Sequence, residues 1–311
     1  VEIQNILVTS RMYKELEGII EREDKRGKTF RYVDEKNIND EDLKWADAYM
    51  SFYPVENFAF HQMKWVHSLG AGVDRYVKLD SWKDDVILTR TVCSFGARMS
   101  EYCLSYMLSE LQYHVAFQKA QREKKWEPLE PVLLSSQKVV IYGTGEIGQS
   151  IAEMLKRFGV QVIGVSRSGK SNQHFHQVVA TGDEASHVKQ ADWIINTLPL
   201  TPETNRMFNA EWMNILQGAY FINVGRGATV DTVSLIEAIN TRRIKKAFLD
   251  VFEVEPLPQS DMLWEHENIV ITPHISAVTT PEEAVACFFD TLDRIEADKP
   301  LENKVDLNRG Y

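Results

Sequence analysis

Apolar residues along this chain fall into short unbroken runs, and stretches of helical spacing separate them. In the first third, residues 5–9, 28–33, 46–52, 63–68 and 86–91 predict strands. An amphipathic helix is expected over 13–22 and a short one within 34–45. Residues 100–121 read as one long, largely buried helix joining two domains, with Ser100 as N-cap and Tyr102, Cys103, Tyr106, Met107 and Leu111 as apolar positions. Beyond it come strands at 138–142, 160–165, 191–198, 220–224, 246–251 and 269–272, and helices at 149–158 and 231–241. A last amphipathic stretch at 281–297 is expected to return to the first domain. Strands alternating with helices in this way predict the α/β class, with two parallel-sheet domains.

One stretch carries more than a fold. Between the strands at 138–142 and 160–165 lies Gly143-Thr144-Gly145-Glu146-Ile147-Gly148, followed by a helix with Ile151, Met154, Leu155 and Phe158 on one face and Gly159 at its end. Three glycines could stand in an ordinary turn. Between two strands and opening a helix, they read as a dinucleotide-binding fingerprint. The first glycine permits the tight turn, the second lets a pyrophosphate approach the backbone, and the third lets helix and strand pack closely. Free N–H groups at the helix start would hold the phosphates.

The end of the second strand narrows the ligand. A carboxylate is expected about 20 residues past the glycines when the adenosine ribose is unphosphorylated. Here the chain reads Ser166-Arg167-Ser168-Gly169-Lys170. Arg167 can stack on adenine and pair with a 2′-phosphate, and both serine hydroxyls can donate to it. The loop predicts NADP as the preferred cofactor, with NAD still possible.

Composition bounds the rest. At 311 residues, 44% hydrophobic and 26% charged, the chain is globular and long enough for two domains. A net charge of −10 argues against a nucleic-acid partner, although a local arginine can still capture a small anion. Cys93, Cys103 and Cys287 are scattered and odd in number, so neither a disulfide framework nor a metal site is expected. The first ten residues show no basic-then-apolar leader, and no run approaches membrane-spanning length. A reduced, cytoplasmic setting is expected, with no membrane partner.

Three polar residues stand just past the carboxyl ends of late strands, where a doubly wound sheet binds ligands: Arg226, Glu255 and His274. Singly, the histidine could be structural and the glutamate a helix-start carboxylate. Together they suit hydride transfer to a 2-oxo acid. Arg226, flanked by glycines, can grip a carboxylate bidentately and polarise the adjacent carbonyl. His274 can supply the proton that the new alkoxide needs. A glutamate beside the imidazole would favour its charged form and fix its orientation. In the first domain, Gly70-Ala71-Gly72 would expose backbone amides at a strand's carboxyl end.

At these residues the chain resembles the D-isomer-specific 2-hydroxyacid dehydrogenases. The resemblance rests on Gly143–Gly148, Leu198-Pro199-Leu200-Thr201-Pro202-Glu203-Thr204, Asn223-Val224-Gly225-Arg226-Gly227, residues 249–256 and Thr272-Pro273-His274-Ile275-Ser276. It extends over essentially the whole chain. It implies a Rossmann dinucleotide-binding domain at 99–280, inserted in a smaller flavodoxin-like substrate domain made of 1–98 and 281–311. It implies a catalytic Arg226, Glu255 and His274. Cofactor contacts are implied for Gly143, Thr144, Gly145, Glu146, Ile147, Gly148, Leu198, Pro199, Thr204, Val224 and Gly225, and for Asp250 at the nicotinamide amide. The amides of Gly70 and Ala71 are implied to hold the substrate carboxylate beside Arg226 and His274.

Within the family, the run from His274 to Thr279 followed by Pro281-Glu282-Glu283-Ala284-Val285 is similar to the bacterial glyoxylate/hydroxypyruvate reductases. Their NADPH use agrees with the 166–168 loop. The chain length is expected to set it apart from the serine-feedback-regulated phosphoglycerate dehydrogenases. Residues 45–57 and 92–98 match the family only loosely, which leaves a bulkier 2-oxo acid open. The expected partners are a small 2-oxo or 2-hydroxy acid and a second copy of the chain, with the 100–121 helix in the interface. A dinucleotide-sensing protein without catalysis is the reading from another class; the intact Arg/Glu/His set weighs against it.

Overall fold

The structure is a computed structural model in which residues 2–24, 26–79 and 82–307 are described. The chain divides into two compact units, Val1–Cys93 with Val278–Tyr311, and Ser94–Ala277.

The first unit is built on five parallel strands: β1 (Asn5–Thr9), β2 (Thr29–Val33), β3 (Ala48–Ser51), β4 (Trp65–Ser68) and β5 (Ile87–Arg90). Their order, β2-β1-β3-β4-β5, is that of flavodoxin-like folds. Alternate residues point to opposite faces, so each strand feeds two cores. Ile6, Val8, Met50 and Trp65 pack with the helices Tyr13–Glu23 and Pro281–Glu296, while Leu7, Tyr49, Val66 and Leu88 pack with Leu43, Phe58, Phe60 and Tyr76. Pro281–Glu296 is thus part of this core, and its Phe288 ring stacks on Trp65 at 4.6 Å between centroids. A capping box starts that helix, with Thr280 Oγ1 accepting from the Glu283 amide and the Glu283 carboxylate accepting from the Thr280 amide.

The second unit holds seven parallel strands: β6 (Lys138–Tyr142), β7 (Gln161–Ser166), β8 (Gln177–Ala180), β9 (Trp193–Asn196), β10 (Ala219–Asn223), β11 (Ile244–Leu249) and β12 (Ile269–Ile271). The order is β12-β11-β10-β9-β6-β7-β8. The chain runs outward one way from β6 and then crosses to β9 to run the other way, the arrangement of a Rossmann fold. Val139, Ile141, Ile195, Ile222 and Phe248 face the helices Phe95–Leu111 and Glu146–Arg157, while Val140, Tyr142, Ile194, Phe221 and Leu249 face the opposite layer. Both faces are covered, which accounts for the unbroken apolar runs.

Two expectations are corrected. Ser100 does not cap a helix: the helix is Phe95–Leu111, and Ser100, buried inside it, donates its hydroxyl to the Gly96 carbonyl one turn back at 2.6 Å. A serine can make that bond as readily as a cap bond, so its presence did not mark a start. Nor is 100–121 one buried helix. Tyr113 takes a left-handed φ of 54°, and the second segment, His114–Arg122, buries none of its residues. No glycine or proline announces that break. Strand β8 lies beyond the polar 166–173 loop and was not predicted, being a short, incompletely buried edge strand.

Candidate active site

Because all seven strands of the second unit are parallel, their carboxyl ends share one edge of the sheet. Gly143 follows β6, Arg167 β7, Leu198 β9, Arg226 β10, Asp250 β11 and His274 β12. The switch in strand order falls between β6 and β9, where open α/β sheets bind ligands.

The three fingerprint glycines are held for different reasons. Gly143 has φ +99°, and a side chain there would strike Thr197 Oγ1 at 2.4 Å. At Gly148 a Cβ would lie 2.0 Å from the Gly143 carbonyl oxygen, so the helix can approach the turn only with glycine. A Cβ on Gly145 meets nothing within 4 Å. That residue is the N-cap of the helix Glu146–Arg157 and offers no side-chain cap, which leaves the helix start open to an anion. At the end of β7, Ser166 Oγ accepts from the Gly169 amide (3.2 Å) and Ser168 Oγ from the Lys170 amide (3.4 Å), so each hydroxyl keeps its own proton to donate. Arg167 is exposed, and its charge reaches Glu203 on the 198–204 loop. The Glu203 carboxyl is held below its ordinary value by the Thr201 hydroxyl first and then by the backbone; desolvation opposes them, and Arg167 adds the smallest lowering. The donor set and the open helix start fit a phosphorylated dinucleotide.

Arg226 sits between two glycines because its neighbours touch backbone on both sides. A Cβ at position 225 would come within 2.6 Å of the Leu198 carbonyl oxygen, and one at 227 within 1.9 Å of the Phe252 carbonyl carbon. A buried amide network that sequence reasoning missed holds this segment. Asn196 Nδ2 donates to Asn223 Oδ1 (2.9 Å) and Thr229 Oγ1 (2.8 Å). Asn223 Oδ1 also accepts from the Gly225 amide (3.1 Å), and the Arg226 carbonyl accepts from Thr229 Oγ1 (2.6 Å) and Asn223 Nδ2 (3.3 Å). The two asparagines are register partners at the ends of β9 and β10. A polar residue closing each of two otherwise apolar buried strands was the available signal. The Arg226 side chain is half-buried, and Nη1 donates to the Gly225 carbonyl at 2.8 Å.

His274 and Glu255 meet. His274 Nδ1 lies 2.7 Å from Glu255 Oε2, and Glu255 Oε1 accepts from the Phe252 amide at 2.9 Å. Burial pushes the Glu255 carboxyl up; the His274 hydrogen bond, the Phe252 amide and the charges of His274 and Arg226 outweigh it and hold the carboxyl below its ordinary value. With Nδ1 taken by Glu255, Nε2 is the imidazole nitrogen left for exchange with a ligand. His274 has φ +54°, a left-handed conformation uncommon for a residue with a side chain. Asp250, assigned by the resemblance to the nicotinamide amide, is fully buried, and its carboxylate accepts from Thr272, Ile275 and Ser276.

Gly70 and Ala71 belong to the first unit. Ser68 Oγ donates to the Gly70 and Gly72 carbonyls (3.1 and 3.2 Å), and Arg90 Nη1 to the Ala71 carbonyl (3.2 Å). Among the described residues, no group of three or more His, Cys, Asp or Glu could hold a metal ion, and no helix is long and apolar enough to cross a membrane.

Fold and site together define a dinucleotide-binding α/β protein with an arginine and a glutamate–histidine pair on its ligand edge. The family model for the D-isomer specific 2-hydroxyacid dehydrogenase NAD binding domain matches residues 104–276. A glyoxylate/hydroxypyruvate reductase A of Escherichia fergusonii is 36% identical over 267 residues, covering 83% of this chain and 85% of the relative. Among solved structures, a D-isomer specific 2-hydroxyacid dehydrogenase of Xanthobacter autotrophicus in complex with NADPH and MES superimposes with a TM-score of 0.89 at 30% identity, over 100% of both chains. An NADPH-dependent glyoxylate/hydroxypyruvate reductase of Sinorhizobium meliloti in complex with NADP and sulfate gives 0.87 at 28% identity, over 99% of this chain and 100% of that one. The chain belongs to the D-isomer specific 2-hydroxyacid dehydrogenases, which are NAD(P)-dependent oxidoreductases.

Proposed function

We propose that this enzyme reduces a small 2-oxo acid of the glyoxylate or hydroxypyruvate type with NADPH, in the cytoplasm. The observation that carries the reading is the 2.7 Å contact between His274 Nδ1 and Glu255 Oε2 on the edge that also bears Arg226. The bound nicotinamide supplies a hydride. Arg226 holds the substrate carboxylate and polarises its neighbouring carbonyl. Glu255 orients the imidazole through Nδ1, and His274 delivers a proton from Nε2 to the carbonyl oxygen. The Gly70 and Ala71 amides are assigned to the carboxylate, as the resemblance implies. The glycine loop, residues 166–168, Leu198, Pro199, Thr204, Val224, Gly225 and Asp250 are assigned to the cofactor. The test is NADPH and NADH oxidation with glyoxylate, hydroxypyruvate and a graded set of bulkier 2-oxo acids. No turnover with any of them would overturn the reading, and a bulkier acid turned over fastest would replace the small one.

The cofactor part has its own test. Arg167→Ala should weaken NADPH binding about ten- to a hundredfold, as expected for losing one charge-assisted pair, and leave NADH nearly unchanged. Equal losses for both cofactors, or a wild type that prefers NADH, would refute the assignment of this loop.

We also propose a homodimer. Val115, Phe117, Trp126, Leu129 and Leu133 are all exposed, Trp126 at 97%. Such a concentration of apolar surface within one stretch supports an interface there. Light scattering should return twice the mass of one chain, and a Phe117→Ser/Trp126→Ser variant should shift toward half that mass. A monomeric wild type at micromolar concentration would contradict it.

A further inference from the structure

Asp250 has no solvent exposure, yet its charge is surrounded by donors from one short loop. His274 N donates to the Asp250 carbonyl at 2.9 Å, Ile275 N to Oδ1 at 2.8 Å and Ser276 N to Oδ2 at 2.8 Å. Two consecutive amides therefore bind the carboxylate, and the amide just before them binds the backbone carbonyl of the same residue while also reaching the Thr272 carbonyl at 3.0 Å. Successive backbone N–H groups turned to one side make a favourable site for an anion. His274, at the head of this segment, is left-handed at φ +54°. Oδ1 also accepts from Thr272 Oγ1 at 2.6 Å. Since the Thr272 proton goes to Asp250, the 2.8 Å contact of Tyr102 Oη with Thr272 Oγ1 must carry the tyrosine proton. A chain of donors runs from the helix Phe95–Leu111 through Thr272 to the carboxylate.

We propose that Asp250 is a positioning residue for His274. Its carboxylate is the internal anion that anchors the Ile275 and Ser276 amides directly after His274, and Thr272, backed by Tyr102, holds that carboxylate in place. The proposal rests on the reading of His274 as the proton donor. Asp250 lies outside the reacting atoms in this role, and it sets where the imidazole stands and which way it turns toward Glu255.

Asn has nearly the shape of Asp but only one acceptor oxygen. In either orientation, Asp250→Asn turns an NH₂ group against one of the two amides, Ile275 or Ser276. We expect a loss in kcat at saturating NADPH of roughly ten- to a hundredfold, in line with small misplacements of a catalytic group, whatever the accompanying change in the Kd for NADPH followed by tryptophan-fluorescence titration. Thr272→Val should lower kcat about three- to tenfold, the effect of one hydrogen bond, and Thr272→Ser should restore it. Each loss should vanish in a His274→Asn background, because a residue that acts through His274 has nothing left to position.

A Kd for NADPH raised tenfold or more with kcat at saturating cofactor retained would overturn the proposal in favour of a cofactor contact. A loss that persists in the His274→Asn background would overturn it in favour of general structural damage. If Asp250→Asn does not fold, the Thr272 pair decides, and a Thr272→Val variant as fast as wild type refutes the idea. A crippled His274→Asn beside an unaffected Asp250→Asn removes this proposal alone. A fully active His274→Asn removes the reading beneath it as well.

Discussion

Replacing His274 with asparagine should lower kcat for 2-oxo acid reduction by roughly a hundred- to ten-thousandfold, the range for loss of a general acid, while NADPH still binds. Asparagine keeps the residue's tolerance of a left-handed backbone, so the loss would not come from displacing the loop. Reduction consumes a proton, and the rate should be high at low pH and fall as the imidazolium deprotonates; oxidation of the 2-hydroxy acid needs the neutral ring and should show the opposite trend. The Glu255 carboxyl is held low, after its burial is outweighed, by His274, the Phe252 amide and Arg226. A carboxyl with a depressed folded value contributes stability that is present above the ordinary carboxylate range and is lost as pH falls through the depressed value. Glu255 therefore stays ionised well below the pH range in which histidines ordinarily titrate. Glu255→Gln should be milder than His274→Asn in kcat, because the imidazole loses the carboxylate that orients it through Nδ1 while Nε2 still carries the proton. A Glu255→Gln variant as fast as wild type would separate Glu255 from proton delivery, and a fully active His274→Asn would end the mechanism.

Arg226→Lys should cost about a hundred- to a thousandfold in kcat/KM, comparable to removing a preorganised donor from a developing oxyanion. The charge survives, but lysine lacks the planar fork that matches a carboxylate. It also lacks the second nitrogen with which Arg226 can hold the Gly225 carbonyl while still reaching a ligand. The backbone has no freedom to compensate, because positions 225 and 227 lie against Leu198 and Phe252. The measurement is steady-state kinetics of the lysine variant across the same set of 2-oxo acids. Values of kcat/KM within about threefold of wild type for every acid would take Arg226 out of the site.

Much of this arrangement was legible because it depends on local pattern. A parallel strand covered on both faces must be largely apolar, so β6, β9 and β10 are visible as runs. The glycines at 143, 145 and 148 answer to steric demands set within a few residues. Arg226 and His274 stood out as polar residues directly after such runs. What escaped depends on partners that only strand order brings together. Asn196, Asn223 and Thr229 form one network across β9 and β10, and Asp250 meets Ile275 and Ser276 only because β11 and β12 are neighbours. Nothing within a few residues of Asp250 shows that its oxygens are committed. The break at Tyr113 escaped for another reason: a left-handed tyrosine has no compositional mark.

The stacking of Phe288 on Trp65 bears on the order in which the polypeptide acquires structure. Residues 94–277 form a continuous segment with cores of their own and can fold as soon as they have left the ribosome. The five-stranded sheet, although synthesised first, cannot close the face bearing Ile6, Val8 and Trp65 until Pro281–Glu296 has been made. For most of translation the part of that face not covered by Tyr13–Glu23 is apolar surface awaiting its last helix, a place for a chaperone to bind the nascent chain.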